Sequence, residues 1–415
     1  MKTFNDPQVF ARVKRLPPHL SVIMSQLREA ARDFGSDLID FSTAHPEGEV
    51  PDPVLEASRR ALEDRRAPRD RDSRGGPALR SAAAAWLSRR YGVEVDPERE
   101  VVATSGNAEG IGHALLAMLQ EGETLLAPDP SAPLHAFGAV LAGGEALPVS
   151  VGPGIDFMDS LFAASEKADR RPRGLIVNFP ANPTAAVATP ELLQKIVRFA
   201  EARALFILSD LAYGDLVFDG GRAPSLLQVP GARERTLEFF SLSTSYRLGG
   251  LRIGLAAGNH ALASALFRVK SYLDPGGLPA VSQAAAVAAL TSCDEFPDKV
   301  CTSYRQRRDA LVRHFGAAGW AVPAPPATPF AFAPIPEPLR HHGSLEFTRR
   351  LAREVGVLAA PGIAFGGAGE GHVRLALLEE EERIRIAAER LEPWLKKTSA
   401  EPRPSHTPVP RPERA

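Results

Sequence analysis

The feature that most constrains this chain is an alternation of short apolar runs with longer segments of helical period, which begins near Val101 and continues to Leu273. The runs Glu100–Ala103, Thr124–Pro128, Glu145–Val151, Gly174–Phe179, Ala204–Ser209, Thr236–Ser241 and Arg252–Ala257 read as strands. Between or after them, helices are predicted from Gly106 to Gln120 and over Pro133–Ala142, Pro190–Arg203 and Asn259–Leu273. Alternation of this kind predicts an α/β fold: a mostly parallel sheet covered on both faces by helices. Ligands of such sheets sit at the carboxyl ends of the strands, and the Ser, Gly, Asn and Asp clusters of this chain fall there.

The flanking segments read differently. An arm and a helix, Leu20–Phe34, precede a short strand at Leu38–Phe41 and the helices Pro53–Arg66 and Ala78–Tyr91. After Pro279 come a small-residue helix, Ala280–Thr291, and a long one, Pro297–Ala318. An α+β region follows: strand Phe330–Ala333, helix Ser344–Val355, strands Val357–Ala360 and His372–Leu377, and helix Glu380–Leu395. The expected organisation is an arm and part of a small domain over 1–50, a large domain over 51–290, the remaining small domain over 291–397 and a disordered Pro-rich tail over 398–415.

Composition narrows the function classes. The formal net charge of −1 gives no whole-chain bias towards nucleic acid or an anionic membrane. Arginines are dense between Arg59 and Arg90, but no aromatic platform is interleaved, so a solvated helix pair near a subunit interface is preferred to a nucleic-acid patch. Cys293 and Cys301 are too few for a disulfide framework and lack metal-ligand spacing, so no metal site is expected. The first residues contain no apolar core of a leader, and no apolar run approaches a membrane span. The expectation is a reduced, cytoplasmic protein.

The chemistry-bearing residues lie at the predicted strand ends. Ser241 and Ser243 follow the run ending at Phe240, and Arg252 closes the same unit; short hydroxyl donors with one guanidinium suit a buried phosphate. Gly106, Asn107 and Ala108 stand at a helix N-terminus, a second anion-favouring element. Asp210 ends a buried strand and could equally cap the next turn; Asn182-Pro-Thr184 could be an ordinary turn. Arg252 could be a core-edge arginine. Arg374 interrupts an apolar strand and needs an anionic partner, whether ligand or protein.

Taken in order, these segments resemble the class I/II aminotransferases, pyridoxal-phosphate (PLP) enzymes of fold type I, and within them the alanine-type and LL-diaminopimelate-type subgroup. The resemblance runs from about residue 38 to 390 and rests on Ser105-Gly-Asn-Ala-Glu109, Pro128-Asp-Pro130, Asn178-Phe-Pro-Ala-Asn-Pro-Thr184 and Ser209-Asp-Leu-Ala-Tyr213. It continues through Phe239–Gly254, Lys270–Asp274, Tyr304–Asp309, Pro361–Gly366 and Val373–Leu377. It implies a large domain around the sheet and a smaller α+β domain built from both chain ends. It further implies that Asp210 pairs with the pyridine nitrogen, that Tyr213 and Asn182 bond the ring's phenolic oxygen, and that Gly106, Asn107, Ala108, Ser241, Ser243 and Arg252 hold the phosphate. Arg374, with Asn182, would hold the α-carboxylate of an amino acid or 2-oxo acid. A homodimer is implied, or a heterodimer with an intact paralogue.

The departures fall around the same implied ligand. Where the family carries the Schiff-base lysine, this chain has Thr244, whose hydroxyl forms no imine and is a poor base near neutrality. Ala132 stands where an aromatic ring is expected to stack on the cofactor, Asp70 aligns near an inter-subunit tyrosine, and Ala185 and Ala44 replace glycines. Three readings follow. The chain is a degenerate or repurposed homologue that binds PLP or pyridoxamine phosphate (PMP) without a covalent bond. Alternatively it is an atypical aminotransferase or PMP-dependent enzyme with a substitute base such as His135, or a cofactor-free interaction protein. His135 could also be a plain surface residue or one that stands behind the pocket.

Overall fold

The computed structural model describes residues 10–43, 48–64 and 72–399. The first strand, β1 (Ile39–Asp40), lies outside the main sheet. The next seven, β2 (Val101–Thr104), β3 (Thr124–Asp129), β4 (Glu145–Ser150), β5 (Gly174–Asn178), β6 (Phe206–Asp210), β7 (Thr236–Ser241) and β8 (Gly254–Gly258), form one sheet in the order β2-β8-β7-β6-β5-β3-β4. All neighbouring pairs from β7 to β4 are parallel; β8 alone runs antiparallel to both its neighbours. Strands β2, β5 and β8 are buried along their whole length, which explains why they read as continuous apolar runs without alternation.

The α/β expectation holds, with helices packed on both faces of the sheet. Val102, Ile111, Ala114, Leu115, Leu237, Phe239 and Leu266 share one core, and Trp86, Tyr91, Phe240, Leu255 and Leu290 share another. Phe239 and Phe240 are adjacent on β7 and point into opposite cores, as the two-residue strand period requires. Helix Phe157–Glu166, absent from the sequence reading, covers β4 and is capped by the Asp156 carboxylate, which accepts from the Met158 and Asp159 amides at 2.8 and 3.0 Å.

The smaller α+β unit draws on both chain ends. Strands β9 (Phe330–Pro334), β10 (Val357–Leu358), β11 (Ala360–Pro361) and β12 (His372–Ala376) lie in its two small sheets. β1 pairs in parallel with β10, while β11 and β9 flank β12 antiparallel. The single strand expected over Val357–Ala360 therefore divides between two sheets. Ile39, Phe41, Phe315, Trp320, Phe330 and Leu391 share the core here, with Phe41 edge-on to Phe315 at 5.6 Å.

The arginine-rich stretch is largely structural where it is described. Buried Arg80 binds the carbonyl of Pro97 and the carboxylates of Asp72 and Glu98, and Arg90 pairs with buried Asp215. No helix among the described residues is long and apolar enough to cross a membrane. Asp70, Ala44 and the 400–415 part of the tail lie outside the described residues.

Candidate functional site

The carboxyl ends of β2, β5, β6 and β7 converge opposite β12, and the expected site residues gather there. Asp210 is the last residue of β6, and its carboxylate is held from two sides. The Asn107 side-chain amide donates to Oδ1 at 2.9 Å, and His135 Nε2 lies 3.1 Å from Oδ2. Behind it, the Asn178 amide binds the Asp210 carbonyl at 2.9 Å, and Asn178 Oδ1 accepts from the Asn182 backbone at 2.9 Å. A carboxylate held this firmly in a buried site is oriented, as an electrostatic partner needs to be. It does more than cap a turn, although the Ala212 amide also reaches it at 3.2 Å.

His135 is only 1 % exposed and sits in the first turn of helix Pro133–Leu141. It is not a surface side chain, and its bonded nitrogen faces Asp210. Asn107 also differs from expectation: its backbone opens helix Asn107–Met118, but its side chain serves Asp210 rather than an anion at the helix end.

The second cluster forms around that helix end. Helix Asn107–Met118 has no side-chain cap, so its first amides remain available to an anion. Gly106 precedes it with φ 83°, and a Cβ there would stand 2.7 Å from the Arg252 guanidinium. Arg252 pairs with no carboxylate among the described residues and is exposed. Ser241 caps the short helix Leu242–Ser245, its hydroxyl accepting from the Ser243 amide at 3.2 Å.

Gly254 fixes the approach of the two pieces. A Cβ there would meet Gly106 C at 2.8 Å and Asn107 N at 2.9 Å, both backbone atoms that cannot rotate away. Gly254→Ala is therefore expected to cost about 1–3 kcal/mol and to weaken phosphate-bearing ligands selectively. Urea midpoints and ligand titration of the same variant check both effects.

The third cluster faces the first from the small domain. Arg374 on β12 is 3 % exposed; it donates to Asn182 Oδ1 at 3.2 Å and to the Ser42 carbonyl at 3.0 Å. The rings of Phe330 and Phe365 lie 4.2 and 4.7 Å from its guanidinium carbon. No carboxylate pairs with it among the described residues, and its Nε is buried without a partner. Burial pushes its pKa down to about 10. Tyr213 packs edge-on against Phe330 at 5.6 Å. Burial first, then the Asp210 charge, raise its phenol well above the usual range, while Arg374 and the hydrogen bond to Asn182 oppose this. At neutral pH it is a protonated donor.

Thr244 lies within the short helix that Ser241 caps and is 6 % exposed, with no partner for its hydroxyl among the described residues. The buried atoms Thr104 Oγ1, Asn107 Oδ1, His135 Nδ1 and Thr184 Oγ1 also lack partners, all in or beside the same clusters. Buried polar atoms are normally satisfied, so their concentration here marks a place for a polar ligand. Ala132 caps helix Pro133–Leu141 without a side-chain bond, and Ala185 takes a left-handed conformation with φ 58°, where glycine would be unstrained.

Sequence reasoning overlooked Asn178, Thr104, Thr184 and the Ser42 carbonyl. Asn178 and Thr184 stood at the two ends of a recognised motif, but nothing in the spacing tells which of their atoms face inward.

The chain is similar to known proteins over most of its length. The family model for aminotransferases of class I and II matches residues 36–391. Among curated relatives, glutamate-pyruvate aminotransferase AlaC of Escherichia coli is 43% identical, covering 91% of this chain and 92% of the relative. An LL-diaminopimelate aminotransferase of Desulforudis audaxviator is 38% identical over 92% of this chain and 96% of its own length. Among solved structures, substrate-bound BacF from Bacillus subtilis superposes with a TM-score of 0.86 at 26% identity, covering 95% of this chain and 98% of that one. A probable N-succinyldiaminopimelate aminotransferase from Thermus thermophilus gives 0.82 at 32% identity, over 90% and 99%.

Proposed function

Because the chain belongs to the class I and II aminotransferase family, we propose that its strand-end cluster is a cofactor site kept without the covalent anchor, holding PLP or PMP by non-covalent contacts alone. The residues present fit a phosphorylated pyridine. Asp210 offers a carboxylate to the ring nitrogen, and the uncapped helix end at Gly106–Ala108, with Ser241, Ser243 and Arg252, forms a dianion cradle. Such a cofactor, when bound, supplies an electron sink for bonds at an amino acid's α-carbon. Tyr213 donates to the ring's phenolic oxygen, and Arg374 with Asn182 holds the ligand's α-carboxylate.

The observation that carries the proposal is the pairing of an oriented, buried Asp210 with a threonine where the anchoring amine is expected. His135 acts through Asp210, to whose carboxylate its Nε2 is committed at 3.1 Å. It is a positioning residue. The protein is accordingly a modified aminotransferase homologue in which ordinary amino-group transfer is severely impaired, acting as a homodimer or beside an intact paralogue. A cofactor-free interaction protein would have no use for Arg374, buried without a counter-charge.

Titration of the purified protein with PLP and PMP, followed by absorbance, tests this. Saturable binding that dialysis reverses is expected, with no dialysis-resistant chromophore. Asp210→Asn should weaken binding by about ten- to a hundred-fold, the span of one hydrogen bond to a charged group. Failure of both cofactors to bind would overturn the proposal.

A further inference from the structure

Lys270 is the only lysine buried among the described residues, and the cofactor contacts proposed above give it no part. It lies in the last turn of helix His260–Leu273, which packs against helix Asn107–Met118. Its ammonium is 3.0 Å from Glu109 Oε1 and 2.7 Å from Asp274 Oδ2. An ammonium taken wholly out of water needs such partners. One of the two stands at the phosphate cradle.

Glu109 is the third residue of helix Asn107–Met118, and its Oε2 reaches back to accept from the Ser105 amide at 3.1 Å. That bond closes the Ser105-Gly106 turn and takes up the amide just ahead of the cradle, leaving those of Gly106, Asn107 and Ala108 to an anion. The same carboxylate brings a negative charge to the helix end where a phosphate dianion would sit. Like charges there repel, and the attraction of the helix end is divided between them. The group that shapes the cradle thus opposes its ligand unless its charge is offset.

Resting on the cofactor-site proposal above, we infer that Lys270 is a positioning residue of the phosphate cradle. It takes up the charge of Glu109, so that a carboxylate can fold the turn without repelling the phosphate. His113 Nδ1 lies 2.6 Å from the same Glu109 oxygen. With His113 neutral, one ammonium between two carboxylates leaves this cluster one net negative charge, and removing the ammonium doubles it. The Asp274 side chain is 34 % exposed and is screened by solvent, so Glu109 is the member whose charge the ligand meets. Lys270 is therefore no substitute for the missing covalent anchor: its release would leave Glu109 unpaired beside the phosphate.

Equilibrium dialysis of the full-length protein with PMP and with pyridoxamine, the same ring without its phosphate, tests this; urea midpoints report folding separately. Lys270→Met should weaken PMP by about ten-fold and leave pyridoxamine nearly unchanged, because only the phosphate meets the uncovered charge. In Lys270→Met/Glu109→Gln the cluster regains the wild-type net charge, and the glutamine oxygen still accepts from Ser105. PMP affinity should then return to within about two-fold of wild type. A merely structural role for Lys270 predicts otherwise: both ligands weaken together, and the double variant binds no better than the single. Either result, or unchanged PMP affinity in Lys270→Met, would overturn the inference and leave the cofactor-site proposal standing. If Lys270→Met does not fold, the double variant decides, since PMP affinity well below wild type overturns the inference and affinity near wild type supports it. Binding of neither PMP nor PLP by the wild-type protein would overturn both.

Discussion

Thr244→Lys is expected to make PLP retention resistant to dialysis and trappable by borohydride as a mass increase on the introduced side chain. Amino-group transfer should rise by about 10²–10⁴-fold, the usual worth of a positioned acid–base group. The backbone at this position is already set. Thr244 sits one turn beyond β7, in a helix capped by Ser241, and the preceding strand is locked between β6 and β8. An amine introduced there is expected to reach the proposed cofactor site without any rearrangement of the sheet. The gain should fall short of a full complement of contacts, because Ala132 offers no ring to stack on the cofactor; such a contact is worth about 1 kcal/mol. Adding Ala132→Tyr should therefore improve cofactor affinity about five-fold on the Thr244→Lys background. If no covalent link forms on the single variant, Thr244 is not the lesion that matters.

Much of this was legible in the residues, for identifiable reasons. The strand Thr236–Ser241 matches expectation to the residue because charged Arg233-Glu234-Arg235 and the hydroxyl turn bracket a run whose one charge, Glu238, is buried and answered by the Ser209 hydroxyl and the Leu226 amide. Asp210 and Arg374 stood out because a charge at the end of, or inside, a buried strand must be answered by something. The convergence on Asp210 was not legible. Asn107 and His135 reach it from 103 and 75 residues away, on two helices whose adjacency depends on the strand order β8-β7-β6-β5-β3. No local period encodes that order. The division of Val357–Ala360 between two sheets was hidden for a related reason: both halves are fully buried, so the apolar pattern does not change where the pairing partner does. Helix Phe157–Glu166 had its signal in Asp156, a good N-cap residue, which the loop-like Gly152-Pro-Gly154 preceding it obscured.

Arg374→Met is expected to stabilise the ligand-free protein while abolishing its response to carboxylate ligands. The guanidinium is buried, bonded only to neutral oxygens and packed between two phenyl rings, and burial holds its pKa down to about 10, well below that of a free guanidinium. Because the folded-state value lies below the unfolded one, the unfolded chain binds this proton more tightly. The resulting penalty is present in full below about pH 10 and fades only as the pH rises above that value. A tenfold weakening of proton affinity corresponds to about 1.4 kcal/mol, which makes the penalty on the order of 3 kcal/mol at neutral pH. Methionine fills much of the same space without charge but forfeits the two hydrogen bonds, so a net gain of about 1–2 kcal/mol in ligand-free stability is expected from urea unfolding. A carboxylate that meets Arg374 removes the same penalty in the wild-type protein. Amino acid or 2-oxo acid, added with PMP, should therefore raise the wild-type melting temperature and leave that of Arg374→Met unchanged. Destabilisation of the ligand-free variant by more than about 1 kcal/mol would instead make Arg374 a structural tie between Asn182 and Ser42, because a side chain kept for its ligand is costly only while that ligand is away.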